Sequence, residues 1–314
     1  MEKWGEQMKK GLLVLSTLLL LSMIFMTIYY QKKEPALTPE QALSLSSNTR
    51  TAPEKVPEET LQGTPVTDEI AYSLQQDKLQ ITYNNGQDWV VVPVDKSNLF
   101  SGEYNGNQQE LIANSFILNE QYAAFLYWNN GVQLIYSTDK DSNWQESLIT
   151  DQVPPIRYRK IAFLSDDFWY AVISYGRTMS SEGASIYITN DQGQSWRETN
   201  MPNTTRLVAN GGFVTEQIGV MAYGTINPAE PEMHVTNDGG ATWQKATFEM
   251  PSKYDGVFVT PNVPYQEEDH LALIMEQGPN GDYGNIQAKF ISKDNGLTWE
   301  FVEEVEPDNE QNMD

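Results

Sequence analysis

The longest apolar run in the chain, Gly11–Tyr30 (GLLVLSTLLLLSMIFMTIYY), has twenty residues and no charge. As a helix rising about 1.5 Å per residue it spans roughly the 30 Å hydrocarbon core of a bilayer, so residues 11–30 are predicted to cross a membrane. Tyr29 and Tyr30 fall where interfacial aromatics belong, and Lys32 and Lys33 follow at once. No small-x-small site follows closely, which favours an uncleaved anchor over a cleaved signal peptide and secretion. Lys3, Lys9 and Lys10 hold residues 1–10 on the cytoplasmic side, placing the rest of the chain outside the cytoplasm.

The pattern then changes twice. Residues 31–67 are rich in Pro, Ser, Thr and Glu and poor in aromatics, so they read as a disordered tether. From residue 68 short apolar runs recur between turn residues, among them Lys160–Leu164 (KIAFL), Phe168–Ser174 (FWYAVIS), Ser185–Thr189 (SIYIT), Leu207–Thr215, Ile218–Tyr223 and Ala288–Ser292 (AKFIS). Runs of this length bounded by Gly, Asn and Asp predict strands. They continue to residue 305, and residues 306–314 form an acidic tail.

One segment repeats. Thr189–Trp196 (TNDQGQSW), Thr236–Trp243 (TNDGGATW) and Ser292–Trp299 (SKDNGLTW) fit Ser/Thr-x-Asp-x-Gly-x-Ser/Thr-Trp without mismatch. Ser137–Trp144 (STDKDSNW) keeps Asp139 and Trp144 but has Asp141 for the glycine, and Thr82–Trp89 (TYNNGQDW) has Asn84 for the aspartate. The tryptophans are 55, 52, 47 and 56 residues apart, the period of a four-stranded unit. Asp191, Asp238 and Asp294 are suited to accept local backbone N–H bonds, Gly193, Gly240 and Gly296 supply positive φ, and Trp196, Trp243 and Trp299 cover the turn. The motif thus joins two strands of a hairpin, and its residues are read as structural.

These segments resemble the Asp-box of bacterial neuraminidase repeats, found in sialidase-type propellers, sortilin-type receptors and the photosystem II assembly factor family. The resemblance covers about residues 70–305. It implies an all-β fold, a β-propeller of about five four-stranded blades, with six as the alternative, behind the N-terminal helix. It does not fix function, because the repeat occurs in enzymes and non-enzymes alike. The sialidase pattern also implies an Arg-Ile-Pro element before the first Asp-box, which this sequence lacks.

Antiparallel order within a blade puts the Asp-boxes on one face and the 2–3 and blade-to-blade connections on the other. The longer segments, including Tyr175–Gly183, Gly224–Pro231 and Gln277–Asn285, map to that second face, where binding loops are expected. Five of the six arginines lie between positions 157 and 206. Arg157, Arg177 and Arg206 map to the loop face of two neighbouring blades, where their guanidinium forks suit a carboxylate or phosphate. Local acids such as Asp151, Asp166 and Glu182 are the competing partners. Tyr158, Tyr175, Tyr223 and Trp128 decorate the same connections, with Tyr104, Tyr254 and Tyr283 nearby. Asp166 with Asp167, or Glu267, Glu268 and Asp269, are the weaker acid/base candidates.

Charge narrows the partners. The chain carries −23 overall, and beyond residue 33 it holds 15 basic and 41 acidic side chains. Such a field repels phosphate backbones, so nucleic acid is excluded as a partner. No cysteine and only His234 and His270 occur, which removes disulfides, a thiolate zinc site and a His-rich metal site. The acid-rich loops lack the spacing of a calcium loop, and no cofactor or metal is expected. The expectation is a monomeric propeller at the cell membrane that binds a protein or cell-surface glycan without catalysis; the alternative is a divergent sialidase-like glycoside hydrolase acting on anionic sugars.

Overall fold

The computed structural model describes residues 17, 19–27, 61–140, 143–224, 226, 228–279 and 281–306. The chain divides into two compact units, Met1–Thr60 and Leu61–Asp314. In the first, residues 19–27 are helical, with Leu19, Leu20, Leu21, Met23, Ile24, Phe25 and Met26 all exposed. Among the described residues no helix is long and apolar enough to cross a membrane. Most of the expected tether, the acidic tail past residue 306 and about half of the expected span lie outside the described residues.

The second unit is all-β and its strands pair in chain order. Sheet 1 joins β1 (Thr64–Pro65), β2 (Ala71–Ser73), β3 (Lys78–Thr82) and β4 (Val90–Asp95). Sheet 2 joins β5 (Phe116–Leu118), β6 (Ala123–Trp128), β7 (Val132–Ser137) and β8 (Gln145–Thr150). Sheet 3 is β9 (Ile156–Phe163), β10 (Trp169–Thr178), β11 (Ser181–Thr189) and β12 (Arg197–Glu198), and sheet 4 is β13 (Val208–Phe213), β14 (Gly219–Tyr223), β15 (Glu232–Thr236) and β16 (Gln244–Lys245). Every pairing within these four sheets is antiparallel.

Sheet 5 departs from this pattern at both edges. After β16 the chain leaves sheet 4 and β17 (Thr247–Glu249) pairs in parallel with β22 (Thr298–Val305). At the other edge β18 (Phe258–Pro261) and β19 (Tyr265–Glu267) pair with successive parts of β20 (His270–Gln277), and β21 (Gln287–Ser292) lies between β20 and β22. Pro261 and Pro264 lack an N–H, so this edge strand breaks at residues 262–264, where only an edge tolerates it.

Side-chain alternation explains why the strand sequences read as nearly continuous apolar runs. In sheet 2, Ala123, Phe125, Tyr127 and Ile135 pack with Tyr72, Leu79 and Ile81 of sheet 1, while Ala124, Leu126, Leu134 and Tyr136 pack with Ile161, Trp169 and Ala171 of sheet 3. Sheet 3 turns Tyr170, Val172, Ile186 and Ile188 to Val208, Phe213 and Met221 of sheet 4, which turns Val220, Met233 and Val235 to Leu273, Phe290 and Trp299 of sheet 5. A strand buried on both faces cannot alternate polar with apolar. Consecutive meanders stacked face to face in chain order make this a propeller-type arrangement.

Sheets 1 and 5 differ from the three between them. Among the described residues no buried apolar cluster joins sheet 5 to sheet 1. The face of sheet 1 away from sheet 2 carries Ser73, Gln80 and Thr82, and that of sheet 5 away from sheet 4 carries Glu267, His270, Ile274 and Lys289. The sheets also begin earlier than the sequence pattern indicated: Thr64 and Pro65, assigned to the tether, form the edge strand of sheet 1.

Candidate functional site

The repeated turns lie at the β11–β12, β15–β16 and β21–β22 connections and share one geometry. The hydroxyl of Thr189 donates to Asp191 Oδ1 at 2.6 Å and accepts from Gly193 N at 3.1 Å, while Asp191 accepts from Ser195 N at 2.9 Å and Ser195 Oγ at 2.5 Å. Thr236, Asp238, Gly240 and Thr242 repeat this, as do Ser292, Asp294, Gly296 and Thr298. Four donors on one carboxylate hold Asp191 and Asp238 down at about 2. Asp139 forms the corresponding bonds with Ser137 and Asn143. Trp144, Trp196, Trp243 and Trp299 pack respectively at the sheet 1–2, 2–3, 3–4 and 4–5 interfaces. These aspartates are therefore already saturated by their own turns.

The opposite end of sheet 3 holds a cleft of about 310 Å³ lined by Glu103, Tyr104, Asn105, Ile112, Ala113, Arg157, Tyr158, Arg159 and Arg177. Three elements supply it: the connection from sheet 1 to sheet 2, the start of β9, and the β10–β11 hairpin. Residues 175–183, expected as a loop, are largely ladder, with Tyr175 opposite Gly183 and Thr178 opposite Ser181. The hairpin carries Arg177 out to its tip. There the guanidinium is exposed, and among the described residues its Nε donates only to Met179 O at 3.4 Å.

Arg157 and Glu182 are locked together. Glu182, whose side chain is wholly buried, accepts from Arg157 Nε and Nη2 at 2.6 Å each, from Val208 N at 2.6 Å and from Ser174 Oγ at 2.9 Å. The competing partner named from sequence is thus the real one, and it fixes Arg157 rather than removing it from the cleft. Arg159 was not singled out from sequence. It is 1% exposed and donates to Leu99 O at 3.1 Å and Ser101 O at 2.5 Å, with no partner at Nε. Burial lowers its guanidinium to about 10. Arg157 and Arg159 two residues apart on one strand was the available signal. With Glu103 and Glu182 set against three arginines, the cleft carries about one net positive charge inside a strongly acidic chain.

The other nominated residues do not converge there. Arg206 pairs with Glu232 at 2.6 Å. Tyr223 is 2% exposed within the sheet 3–4 core, and burial raises its phenol. Trp128 and Tyr175 pack at the sheet 2–3 core, and Tyr254 is buried in the core of sheet 5. A surface role for Tyr223 and Tyr254 is corrected by this burial: both stand at strand or turn positions whose side chains point inward. Asp166 accepts from Tyr122 at 2.7 Å and Asp167 from Gln192 at 3.0 Å. Glu267 binds Lys289 at 2.8 Å and His270 at 3.2 Å. A larger groove of about 600 Å³ lies between sheets 4 and 5, floored by Ala246, Phe248, Met250 and Phe258, where Lys245 pairs with Glu230 at 3.6 Å. It gathers no convergent cations. Among the described residues no group of three or more His, Asp or Glu is placed to share a metal ion.

No protein-family model matches the sequence, and no curated protein matches it by sequence. Similar solved structures are β-propeller proteins. One, described as YCF48 bound to D1 peptide, is 13% identical with a TM-score of 0.41, covering 77% of this chain and 81% of that one. An ancestral GH74 enzyme is 13% identical with a TM-score of 0.46 over 78% of this chain, which spans only 32% of that enzyme. A GH43 endo-arabinanase from Bacillus licheniformis is 11% identical with a TM-score of 0.36, covering 59% and 72%.

Proposed function

We propose that this chain is a membrane-anchored, extracytoplasmic propeller of five blades whose cleft binds a carboxylate-bearing group of a protein or cell-surface glycan, without turning it over. The observation that carries this reading is the convergence of Arg157, Arg159 and Arg177 with Tyr104 and Tyr158 on one cleft. Arg157 is pre-oriented by Glu182 and costs little to order on binding, while Arg177 is free to close on a ligand from the hairpin tip. The similar structures include both a peptide-bound protein and glycoside hydrolases, so the binding and hydrolase readings are tested side by side.

The test uses the full-length protein and Arg177→Ala in affinity capture from native membranes, on a glycan array and with a fluorogenic sialoside. Loss of a charge-assisted contact worth about 1.5–3 kcal/mol weakens ligand retention roughly 10- to 100-fold. Sialoside turnover abolished by Arg157→Ala or Arg177→Ala would establish the hydrolase instead.

A further inference from the structure

Asparagine precedes glycine at Asn85, Asn105, Asn130, Asn210, Asn280 and Asn295. A glycine in that place leaves its amide nitrogen unshielded by a Cβ, so the nitrogen can approach the asparagine side-chain carbonyl carbon closely. Most of these pairs are built into regular structure. Gly86 N–H donates to Thr82 Oγ1 at 3.0 Å and Gly296 N–H to Ser292 Oγ at 2.8 Å, inside the repeated turns. Gly211 N–H donates to Asn210 Oδ1 at 2.9 Å within β13, and the turn at Asn130 is closed by Asn129 N–H on Gly131 O at 2.9 Å. Asn280 lies outside the described residues.

Asn105 and Gly106 differ. Both are exposed on the connection from sheet 1 to sheet 2, and among the described residues neither the Asn105 amide nor the Gly106 N–H has a hydrogen-bond partner. The local fold demands the glycine: Tyr104 OH donates to Asn107 O at 2.8 Å, and a Cβ on residue 106 would lie 2.5 Å from that hydroxyl. Asn105 also lines the arginine cleft. Attack by the Gly106 nitrogen requires loss of its proton, and the anion formed, like the oxyanion that follows, is stabilised by the positive potential of Arg157, Arg159 and Arg177.

We propose that Asn105 is a self-modifying site. The Gly106 nitrogen bonds to Asn105 Cγ, ammonia leaves, and water opens the resulting succinimide to aspartate or isoaspartate. One amide and one water become one carboxylate and one ammonia, with no oxidant or reductant. The new carboxylate removes the excess positive charge of the cleft and pairs with Arg177, whose fork is the exposed one, while those of Arg157 and Arg159 are held by protein acceptors. The chemistry stands apart from the function proposed above; its consequence, a cleft that closes to anionic ligands as the protein ages, rests on that reading.

Full-length protein is aged in mildly alkaline buffer, and conversion of amide to acid at each asparagine is followed by peptide mass spectrometry. Asn105 converts about fivefold or more faster than Asn85 or Asn295, whose glycine N–H must first leave its hydrogen bond. Phenylglyoxal then modifies Arg177 more slowly in Asn105→Asp than in Asn105→Gln, a readout that needs no ligand. Absence of conversion at Asn105, or a rate no greater than at Asn85 and Asn295, would overturn the site. Equal phenylglyoxal rates would overturn the pairing with Arg177. In capture from native membranes, retention lost in Arg177→Ala but undiminished in Asn105→Asp would overturn the closing of the cleft. Retention that survives Arg177→Ala would sink the cleft reading alone, because the conversion rates and the phenylglyoxal rates are measured without a ligand.

Discussion

Replacing Glu182 with alanine is the most demanding test of how the cleft is held. The carboxylate is fully buried and receives four donors, two of them from Arg157, whose own side chain is only 22% exposed. Deletion strands a guanidinium against Val208 O alone and leaves the Val208 N–H and Ser174 hydroxyl without their acceptor. Removing one partner of a buried pair costs about 3–5 kcal/mol, because the remaining charge stays desolvated. For a domain of this size each kcal/mol lowers the melting midpoint by about 2–4 °C, so the expected fall is roughly 6–20 °C. The double variant Arg157→Met/Glu182→Ala removes both charges and regains most of that loss. Calorimetry of the four proteins in the cycle gives the coupling directly. A Glu182→Ala loss below about 1 kcal/mol, or a double variant as unstable as the single, would refute the view that Glu182 exists to hold Arg157.

Two further expectations concern the repeated turns. The carboxylates of Asp191 and Asp238 sit at about 2 against an ordinary 3.8, so their stabilisation is full above about pH 4 and is lost as pH falls toward 2. Unfolding free energy should therefore decline across that window in urea titrations, and Asp191→Asn with Asp238→Asn should flatten it; an unchanged slope would contradict the turn geometry. Gly193 has φ +79, and a Cβ there would lie 2.8 Å from Cζ3 of the fully buried Trp169. Gly193→Ala should cost about 2–4 kcal/mol in chemical denaturation, combining left-handed strain with overpacking, whereas a loss within about 0.5 kcal/mol would show that Trp169 yields freely.

The repeated turns were legible because their determinants are local: a hydroxyl, a carboxylate and a glycine within eight residues specify the hydrogen bonds without help from elsewhere. Strands buried on both faces were legible for the same reason, as short apolar runs between turns. What escaped depends on distant pairing. Thr64–Pro65 has no apolar pattern and becomes a strand only because β2 offers an edge. The parallel pairing of Thr247–Glu249 with β22 reaches some fifty residues along the chain, and nothing in that tripeptide announces it. Tyr223 and Tyr254 were assigned outward because they lie in or beside the connections between predicted strands; their burial comes from the neighbouring sheet. Arg159 escaped because its partners are backbone carbonyls at Leu99 and Ser101, which no side-chain pattern reveals.

The charge of the whole chain and the charge of the cleft act at different ranges. Beyond about 8 Å, physiological salt screens the field of exposed acids, so the acidic surface slows the approach of an anion only modestly. Within the cleft, Arg157 and Arg159 are buried and held by fixed acceptors, so screening by salt is weak there. On the reading proposed above, an anion meets the exposed Arg177 directly, while Arg157 and Arg159, whose forks are held by protein acceptors, contribute positive potential behind it. An acidic exterior around a small basic recess therefore selects against polyanions, which cannot bring one charge in without pressing the others against the rim. On the reading proposed above, a single carboxylate on an otherwise neutral or apolar ligand meets no such penalty.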